Sequence, residues 1–245
     1  MELLLGAVLF LMLCAGVFVP LEHLFGTRAK YELRSSALCV CLFVLNTMLM
    51  GSFGAPLLEK IATEPLEEPG VPRIVAALLL GDLLGYLIHR AMHRVPLLWK
   101  LHRVHHADVE LNWLEGWRQH PLDFLVHGFA VAVPGALLGA SLSDLAAVVL
   151  IRKAWTSFLH ADVPFRFGLL EYVFATPAFH RVHHSADPRE FDQNFAGSFP
   201  LWDFVFGTLA PRVTEAAPAG SRLASPADST ARWSGPAAWS GNRRR

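Results

Sequence analysis

Long apolar runs dominate the first ninety residues and predict membrane-spanning helices. Residues 3–19 and 37–53 are almost unbroken stretches of hydrophobic side chains. Each approaches the ~20 residues that an α-helix needs to cross a hydrocarbon core of ~30 Å. A third run, 74–88, leads directly into the first of several histidine-rich segments. No basic residue precedes the first run and further spans follow it, so we interpret it as a retained helix and not as a cleaved signal.

The third run carries a polar stripe along an otherwise apolar helix. Asp82, Tyr86, His89 and His93 recur at intervals of three or four residues, which places them on one helical face. An ionisable residue inside a span is costly and usually functional. We expect Asp82 to accept a hydrogen bond from a metal-bound imidazole or to anchor Tyr86. The alternative is a polar contact between two helices.

Residues 122–159 predict a helical hairpin that enters the membrane and returns. In this interpretation 124–138 leads in, 139–144 turns, and 145–159 comes back towards His160. Arg152 and Lys153 interrupt the returning arm and are expected at the membrane interface. The fold class predicted is therefore all-α, an integral membrane helical bundle with a histidine-rich cap that holds two metals.

Composition supports a membrane domain followed by a disordered tail. Hydrophobic residues make up 53% of the chain, above the usual share for a soluble domain. We predict a membrane domain over 1–211 and a disordered tail over 212–245, which is rich in Ala, Pro and Ser and has a basic end that can touch anionic lipid. A formal net charge of zero argues against nucleic acid as a partner.

Charges in the connecting segments predict the orientation. Basic residues concentrate after the first span, at 28–34, and after the third, at 90–103, whereas the loop after the second span is acidic. Positively charged loops face the cytoplasm in most membrane proteins. We therefore expect the histidine-rich segments to lie on the cytoplasmic side.

Three short segments contain most of the histidines: HRAMH at 89–93, HRVHH at 102–106 and HRVHH at 180–184. Histidines three or four residues apart share one helical face, so each segment is expected to direct its imidazoles to a common point. Imidazole suits iron, copper, zinc and nickel. Eight such side chains exceed the needs of one ion and suit two, and iron, unlike zinc, can cycle between oxidation states and pass electrons to dioxygen. The candidate ligands are His89, His93, His102, His105, His106, His180, His183 and His184.

These segments, in this order, resemble the fatty acid hydroxylase and sterol desaturase superfamily of membrane di-iron enzymes. The resemblance is carried by GDLLGYLIHRAMHRVPLLWKLHRVHH at 81–106, LNWLEGWRQHPLDF at 111–124, FLHADV at 158–163, TPAFHRVHHSADP at 176–188 and NFAGSFPLWDFVFGT at 194–208. It implies that all three histidine segments supply ligands.

The resemblance also singles out residues outside the three histidine segments. His160 in FLHADV matches an isolated histidine that completes the shell of the second metal. His120 matches a family position and is a ligand, a donor to a ligand or a contact at a helix start. Asn112 and Asn194 are expected as partners of ligands or as turn asparagines. Many relatives carry asparagine where this chain has Asp162.

The activity implied is O2-dependent hydroxylation, or desaturation, of an unactivated C–H bond in a lipid by two iron ions that cycle between Fe2+ and Fe3+. Fatty acyl, sterol-like, carotenoid and alkylglycerol substrates all fit. Two electrons would come from a separate protein of ferredoxin or cytochrome type with its reductase.

Two other classes remain open from the sequence. A histidine-rich membrane metal-binding protein or transporter would need polar residues along a path, for which only Asp82 and His127 are candidates. A zinc-dependent hydrolase would need a carboxylate base, for which Glu115 is the candidate.

Overall fold

The computed structural model describes residues 1–26, 31–64, 70–107, 110–165 and 167–210. The described part of the chain is helical and contains no β-strand. Its helices are α1 (Glu2–Phe25), α2 (Leu33–Leu49), α3 (Ala55–Ile61), α4 (Val71–Arg94), α5 (Pro96–His102), α6 (Pro121–Leu137), α7 (Leu142–His160), α8 (Pro177–His183) and α9 (Leu201–Phe206). The tail predicted over 212–245 lies outside the described residues.

Three helical segments are long and apolar enough to cross a membrane, as predicted. They are α1, the segment Leu33–Ile61, and α4. The second is longer than the apolar run implied, because a π-helical turn over Met50–Gly54 joins α2 to α3 without a break. Many of their large apolar side chains are exposed and face the space that lipid would fill. The protein is a membrane protein.

The long helices alternate in direction, and the histidine-rich segments all lie at one end of the bundle. At that end, the buried Glu22 near the end of α1 accepts hydrogen bonds from the backbone N–H groups of Trp113 and Asp162, at 2.7 and 2.9 Å. Ser35, at the start of α2, donates to Glu115 at 2.9 Å. The helices outside the histidine-rich segments therefore hold the loops that carry those segments.

The hairpin predicted over 122–159 is present as α6 and α7. Ser141 begins α7 by accepting a hydrogen bond from the backbone N–H of Asp144, whose carboxylate accepts one from the backbone N–H of Ser141 in return. This reciprocal cap satisfies two of the free amides at a helix start. The first arm leads away from the end of the bundle that carries the histidines, and the second arm brings the chain back to it at His160.

The position of Arg152 and Lys153 at the membrane interface stays a prediction, and both side chains contact other helices. Arg152 Nη1 lies 3.1 Å from Asp82 Oδ1 on α4. Lys153 Nζ lies over the rings of Phe43 and Phe124, 4.7 and 5.3 Å from their centroids. A carboxylate and aromatic faces thus provide these two cations with partners within the protein.

Candidate metal centre

Nine histidines meet at one end of the bundle in two neighbouring groups. The first group contains His89, His93, His102, His106 and His183. The second contains His105, His160, His180 and His184. In each group every residue offers one nitrogen, and these nitrogens lie within 4.8 Å of one another. The structure thus brings together all but one of the histidines predicted as ligands; metal binding by them stays a prediction.

The sequence predicted that each HRVHH segment directs its imidazoles to one point. In the structure each of these two segments contributes to both groups instead. His102 and His106, four residues apart, join the first group, while His105 between them joins the second. The third segment divides in the opposite sense, with His180 and His184 in the second group and His183 in the first. Successive residues differ by about 100° around a helix, so neighbours such as His105 and His106 diverge. Each segment therefore bridges the two groups, whose rings touch at His106 and His184, 4.3 Å between centroids.

The second group has the spacing of a ligand shell. The Nε2 atoms of His105, His160, His180 and His184 follow one another at 3.2, 3.1 and 3.1 Å. Donors ~2.1 Å from one ion lie about 3.0 to 3.4 Å apart, depending on whether their angle at the ion is octahedral or tetrahedral. The nitrogens of the second group thus fit around a transition-metal ion without rearrangement.

The first group contains buried nitrogens that a metal ion would satisfy. The Nε2 atoms of His89 and His102 are buried and have no hydrogen-bond partner among the described residues. A buried polar atom left without a partner costs about 1–3 kcal/mol. His183 Nε2 lies 3.1 Å from His106 Nε2, again the separation of adjacent ligands. The donor set therefore fits a metal ion here too.

Backbone carbonyls hold several of these imidazoles from behind. Carbonyl oxygens only accept, so the facing Nδ1 must carry the proton and Nε2 is left with its lone pair for a metal. His89 Nδ1 donates to Phe195 O at 2.7 Å, His183 Nδ1 to Gln193 O at 2.9 Å, and His160 Nδ1 to Thr156 O at 2.8 Å. Such outer partners set the tautomer and ring orientation of metal ligands.

The loop that provides two of these carbonyls was not recognised in the sequence. Asp192 and Asn194 both have left-handed backbone conformations, with φ of 58° and 55°. Asp203 holds the loop by accepting hydrogen bonds from the backbone N–H groups of Phe195 and Ala196, both at 2.8 Å. The available signal was the asparagine and aspartate at these positions, the residues that best tolerate this conformation after glycine.

Burial keeps the imidazoles of the second group neutral. It lowers the pKa of His105, His180 and His184 well below 6.5, and the neighbouring imidazoles lower it further. Burial also lowers the pKa of His160, to about 4. Neutral imidazole is the form that binds metal, so these side chains are ready to act as ligands near neutral pH.

The predicted partner of Asp82 is wrong. Its carboxylate, fully buried, accepts hydrogen bonds from Arg152 Nη1, the backbone N–H of Phe199 and Trp202 Nε1, each at 3.1 Å. Tyr86 instead shares a hydrogen bond with Thr208, at 2.8 Å. Asp82 thus ties α4 to α7, to α9 and to the segment before α9, which is the alternative interpretation of a contact between helices.

The two asparagines bond to backbone groups, Asn112 within its own turn and Asn194 between segments distant in sequence. Asn112 Oδ1 accepts from the backbone N–H of Leu114 at 3.0 Å. Asn194 Nδ2 donates to Phe179 O at 3.0 Å, and its Oδ1 accepts from the backbone N–H of Ala210 at 2.8 Å. The Asn112 bond corresponds to the turn interpretation, whereas Asn194 ties its loop to α8 and to Ala210; a role of either residue as the partner of a ligand stays a prediction.

His120 lies outside both groups. Its Nδ1 accepts a hydrogen bond from the backbone N–H of Leu122 at 3.2 Å, which makes it the N-cap of α6. Of the three roles open from the sequence, this is the contact at a helix start. Glu115, the candidate base of a hydrolase, accepts from Ser35 Oγ at 2.9 Å and from Cys39 Sγ at 3.2 Å on α2.

The structure defines a class: a helical membrane protein in which two adjoining, histidine-only groups can hold metal at one end of the bundle. The chain belongs to the fatty acid hydroxylase family, whose sequence model matches residues 74–208. This confirms the resemblance stated from the sequence.

Three relatives each match between 51% and 59% of this chain. An alkylglycerol monooxygenase of Xenopus tropicalis is 29% identical over 131 residues, 51% of this chain and 28% of the relative. An ornithine lipid hydroxylase of Rhizobium tropici is 32% identical over 149 residues, 59% of this chain and 44% of the relative. Methylsterol monooxygenase 1 of Rattus norvegicus is 29% identical over 137 residues, 56% and 46% respectively. The chain therefore spans less than half the length of these three relatives. No solved structure matches it significantly.

Proposed function

We propose that this protein is an O2-dependent di-iron oxygenase that hydroxylates, or desaturates, an unactivated C–H bond of a membrane lipid. The observation that carries the proposal is the pair of adjoining groups of imidazoles, five in one and four in the other. The relatives named above are oxygenases that act on lipids, and they support the same conclusion.

The histidines of each group would hold one iron through the nitrogens that converge there. Two irons with bound dioxygen would supply the oxidising power to remove hydrogen from a saturated carbon. Carbonyls of the 192–195 loop and of α7 keep the protons of His89, His183 and His160 on Nδ1, so these three imidazoles present a lone pair inwards. The burial of both groups keeps water away from the reacting carbon.

A lipid substrate is supported by a cavity between α4, α6 and α7, which runs from Arg73 and Leu138, at the end of the bundle away from the histidines, as far as Arg152. The cavity has a volume of about 260 Å³, close to the lower end of the ~300–1,000 Å³ typical of small-molecule pockets. It is lined mainly by apolar residues of three helices, among them Ala77, Leu78, Val131, Leu138, Leu145 and Val148. The volume admits a segment of a hydrocarbon chain and not a whole lipid. Arg152 lines it and lies eight residues, or ~12 Å of helix, from His160.

The orientation follows from charge. Basic residues flank the end of the bundle that carries the histidines, so we place this end at the cytoplasmic face. There, a separate electron-transfer protein of ferredoxin or cytochrome type would deliver the two electrons. The substrate would enter sideways from the bilayer.

The proposal is tested by metal analysis and by product formation. We expect about two irons per chain in anaerobically purified protein, and an iron- and oxygen-dependent gain of one oxygen, or loss of two hydrogens, in a lipid of the expressing membrane. His105→Ala should abolish this product without affecting membrane insertion. His23→Ala, on the exposed side of α1, should leave both the product and membrane insertion unchanged. Bound zinc without iron, and no change in any lipid under oxygen, would refute the proposal.

A further inference from the structure

A buried carboxylate connects the first histidine group to a histidine that belongs to neither group. Asp123 lies in the first turn of α6 and is completely buried. Its Oδ2 accepts a hydrogen bond from His102 Nδ1 at 2.9 Å. Its Oδ1 accepts one from His127 Nδ1 at 2.8 Å. Both carboxylate oxygens are therefore held by imidazoles, one from a candidate ligand and one from α6 itself.

His127 also touches the ligands directly, although it offers no nitrogen to either group. Its ring lies edge-on to that of His89, 5.6 Å between centroids, and 6.0 Å from that of His102. The side chain is 22% exposed, so it lies at the edge of the first group and not at its centre. Its position four residues after Asp123 places both on one face of α6.

We propose that His127 is a positioning residue for the first metal. Its hydrogen bond fixes one oxygen of Asp123, and the other oxygen then fixes His102 with the proton on Nδ1 and the Nε2 lone pair directed at the ion. The inference rests on the proposed function only in requiring that the first group binds metal. A carboxylate behind a ligand imidazole also raises the basicity of that ligand.

Among the described residues no carboxylate holds an imidazole of the second group in this way, which makes the effect specific. There, His160 Nδ1 donates to a backbone carbonyl of its own helix. The Nδ1 atoms of His105 and His180 are buried without a hydrogen-bond partner among the described residues. Loss of the His127 hydrogen bond is therefore expected to weaken metal binding in the first group and to leave the second unchanged.

Two substitutions separate the hydrogen bond from the shape of the ring. His127→Asn keeps an N–H donor at the place of Nδ1, whereas His127→Phe keeps a ring and removes the donor. His23→Phe, at an exposed histidine of α1, is the matched control. The full-length proteins, in detergent and free of oxygen, are titrated with cobalt(II) as the only metal, and visible absorption reports the affinity of each site.

We expect two cobalt sites in the unchanged protein, with one of them weakened ~10–100-fold in His127→Phe. His127→Asn should restore most of the lost affinity, and His23→Phe should bind as the unchanged protein does. Equal affinities in His127→Phe and the unchanged protein would overturn the inference, as would a His127→Asn variant as weak as His127→Phe.

A second variant keeps the inference testable if His127→Phe does not fold. Asp123→Asn retains the shape of the side chain but can accept from only one of the two imidazoles, so it should weaken the same site. Unchanged affinity in Asp123→Asn would overturn the inference. Failure of the unchanged protein to bind cobalt at all would instead refute the proposed metal centre.

Discussion

The contact between α4 and α6 at Gly81 leaves no space for a side chain, and Gly81→Ala tests how closely these two helices pack. A Cβ atom at this position would lie 2.6 Å from the carbonyl oxygen of Val131 on α6. Real Cβ atoms essentially never come closer than 3.0 Å to another heavy atom. Because the obstacle is backbone, the two helices must move apart, and no side chain can rotate to relieve the clash.

The cost follows from this geometry. Overpacking of this kind costs ~1–3 kcal/mol, while alanine gains ~1 kcal/mol over glycine in helix propensity. We expect the strain to dominate and the free energy of unfolding to fall by about 1–2 kcal/mol. For a chain of this size, that corresponds to a melting temperature lowered by roughly 2–8 °C. The same displacement moves His89 and His93, which lie on α4.

Thermal unfolding followed by far-ultraviolet circular dichroism measures the effect, and two other glycines serve as controls. At Gly85, one turn further along α4, the nearest atom to an added Cβ is a side-chain methyl of Val131 at 3.4 Å. At Gly16 on α1 nothing lies within 4 Å. Alanine at either position should leave the melting temperature unchanged or raise it. A Gly81→Ala protein that melts with these controls would refute the close approach of α4 and α6.

Three further predictions concern pH, the second histidine group and the cavity. Burial raises the pKa of Asp203 to about 6 from the ordinary 3.8, so the folded protein holds this proton more tightly than the unfolded chain does. The contribution of Asp203 to stability therefore falls as pH rises from about 4 to about 6. Asp203→Asn should remove that part of the slope in melting temperature against pH, and an identical slope in both proteins would contradict the assignment. An alanine Cβ at Gly116 would lie 3.0 Å from His160 Nδ1, so Gly116→Ala should weaken cobalt binding in the second group by roughly tenfold. Cobalt titration curves unchanged by this substitution would contradict the prediction. Ala147 lines the cavity and its neighbour Ala146 does not. Ala147→Trp should exclude about two methylenes of the substrate and lower kcat/KM for a long-chain lipid roughly tenfold relative to Ala146→Trp. Equal values of kcat/KM in the two variants would show that the cavity does not bind substrate.

The predictions that held were those that depend on local repetition. The apolar runs, the hairpin of α6 and α7, and the clustering of histidines all follow from spacing within one segment. The predictions that failed concern partners distant in sequence. Asp82 is bound to residues seventy or more positions away, and no pattern within α4 could identify them.

Asp123 and the 192–195 loop were missed for a related reason. Asp123 is an ordinary acid in the first turn of a helix, a place where aspartate is common because of the helix dipole. Only the approach of α5 brings His102 to it. The carbonyls of Gln193 and Phe195 carry no side-chain signal at all, since every residue has one.

By itself, the sequence determined that this chain forms apolar helices, that they are long enough to span a bilayer, and that histidines four apart share a face. These properties are set by periodicity along one helix. The tertiary structure alone decided how nine imidazoles divide between two groups, because adjacent histidines in one segment point in different directions and each group is completed by helices far apart in sequence. The packing of α4, α7 and α8 at one end of the bundle determines which nitrogens converge.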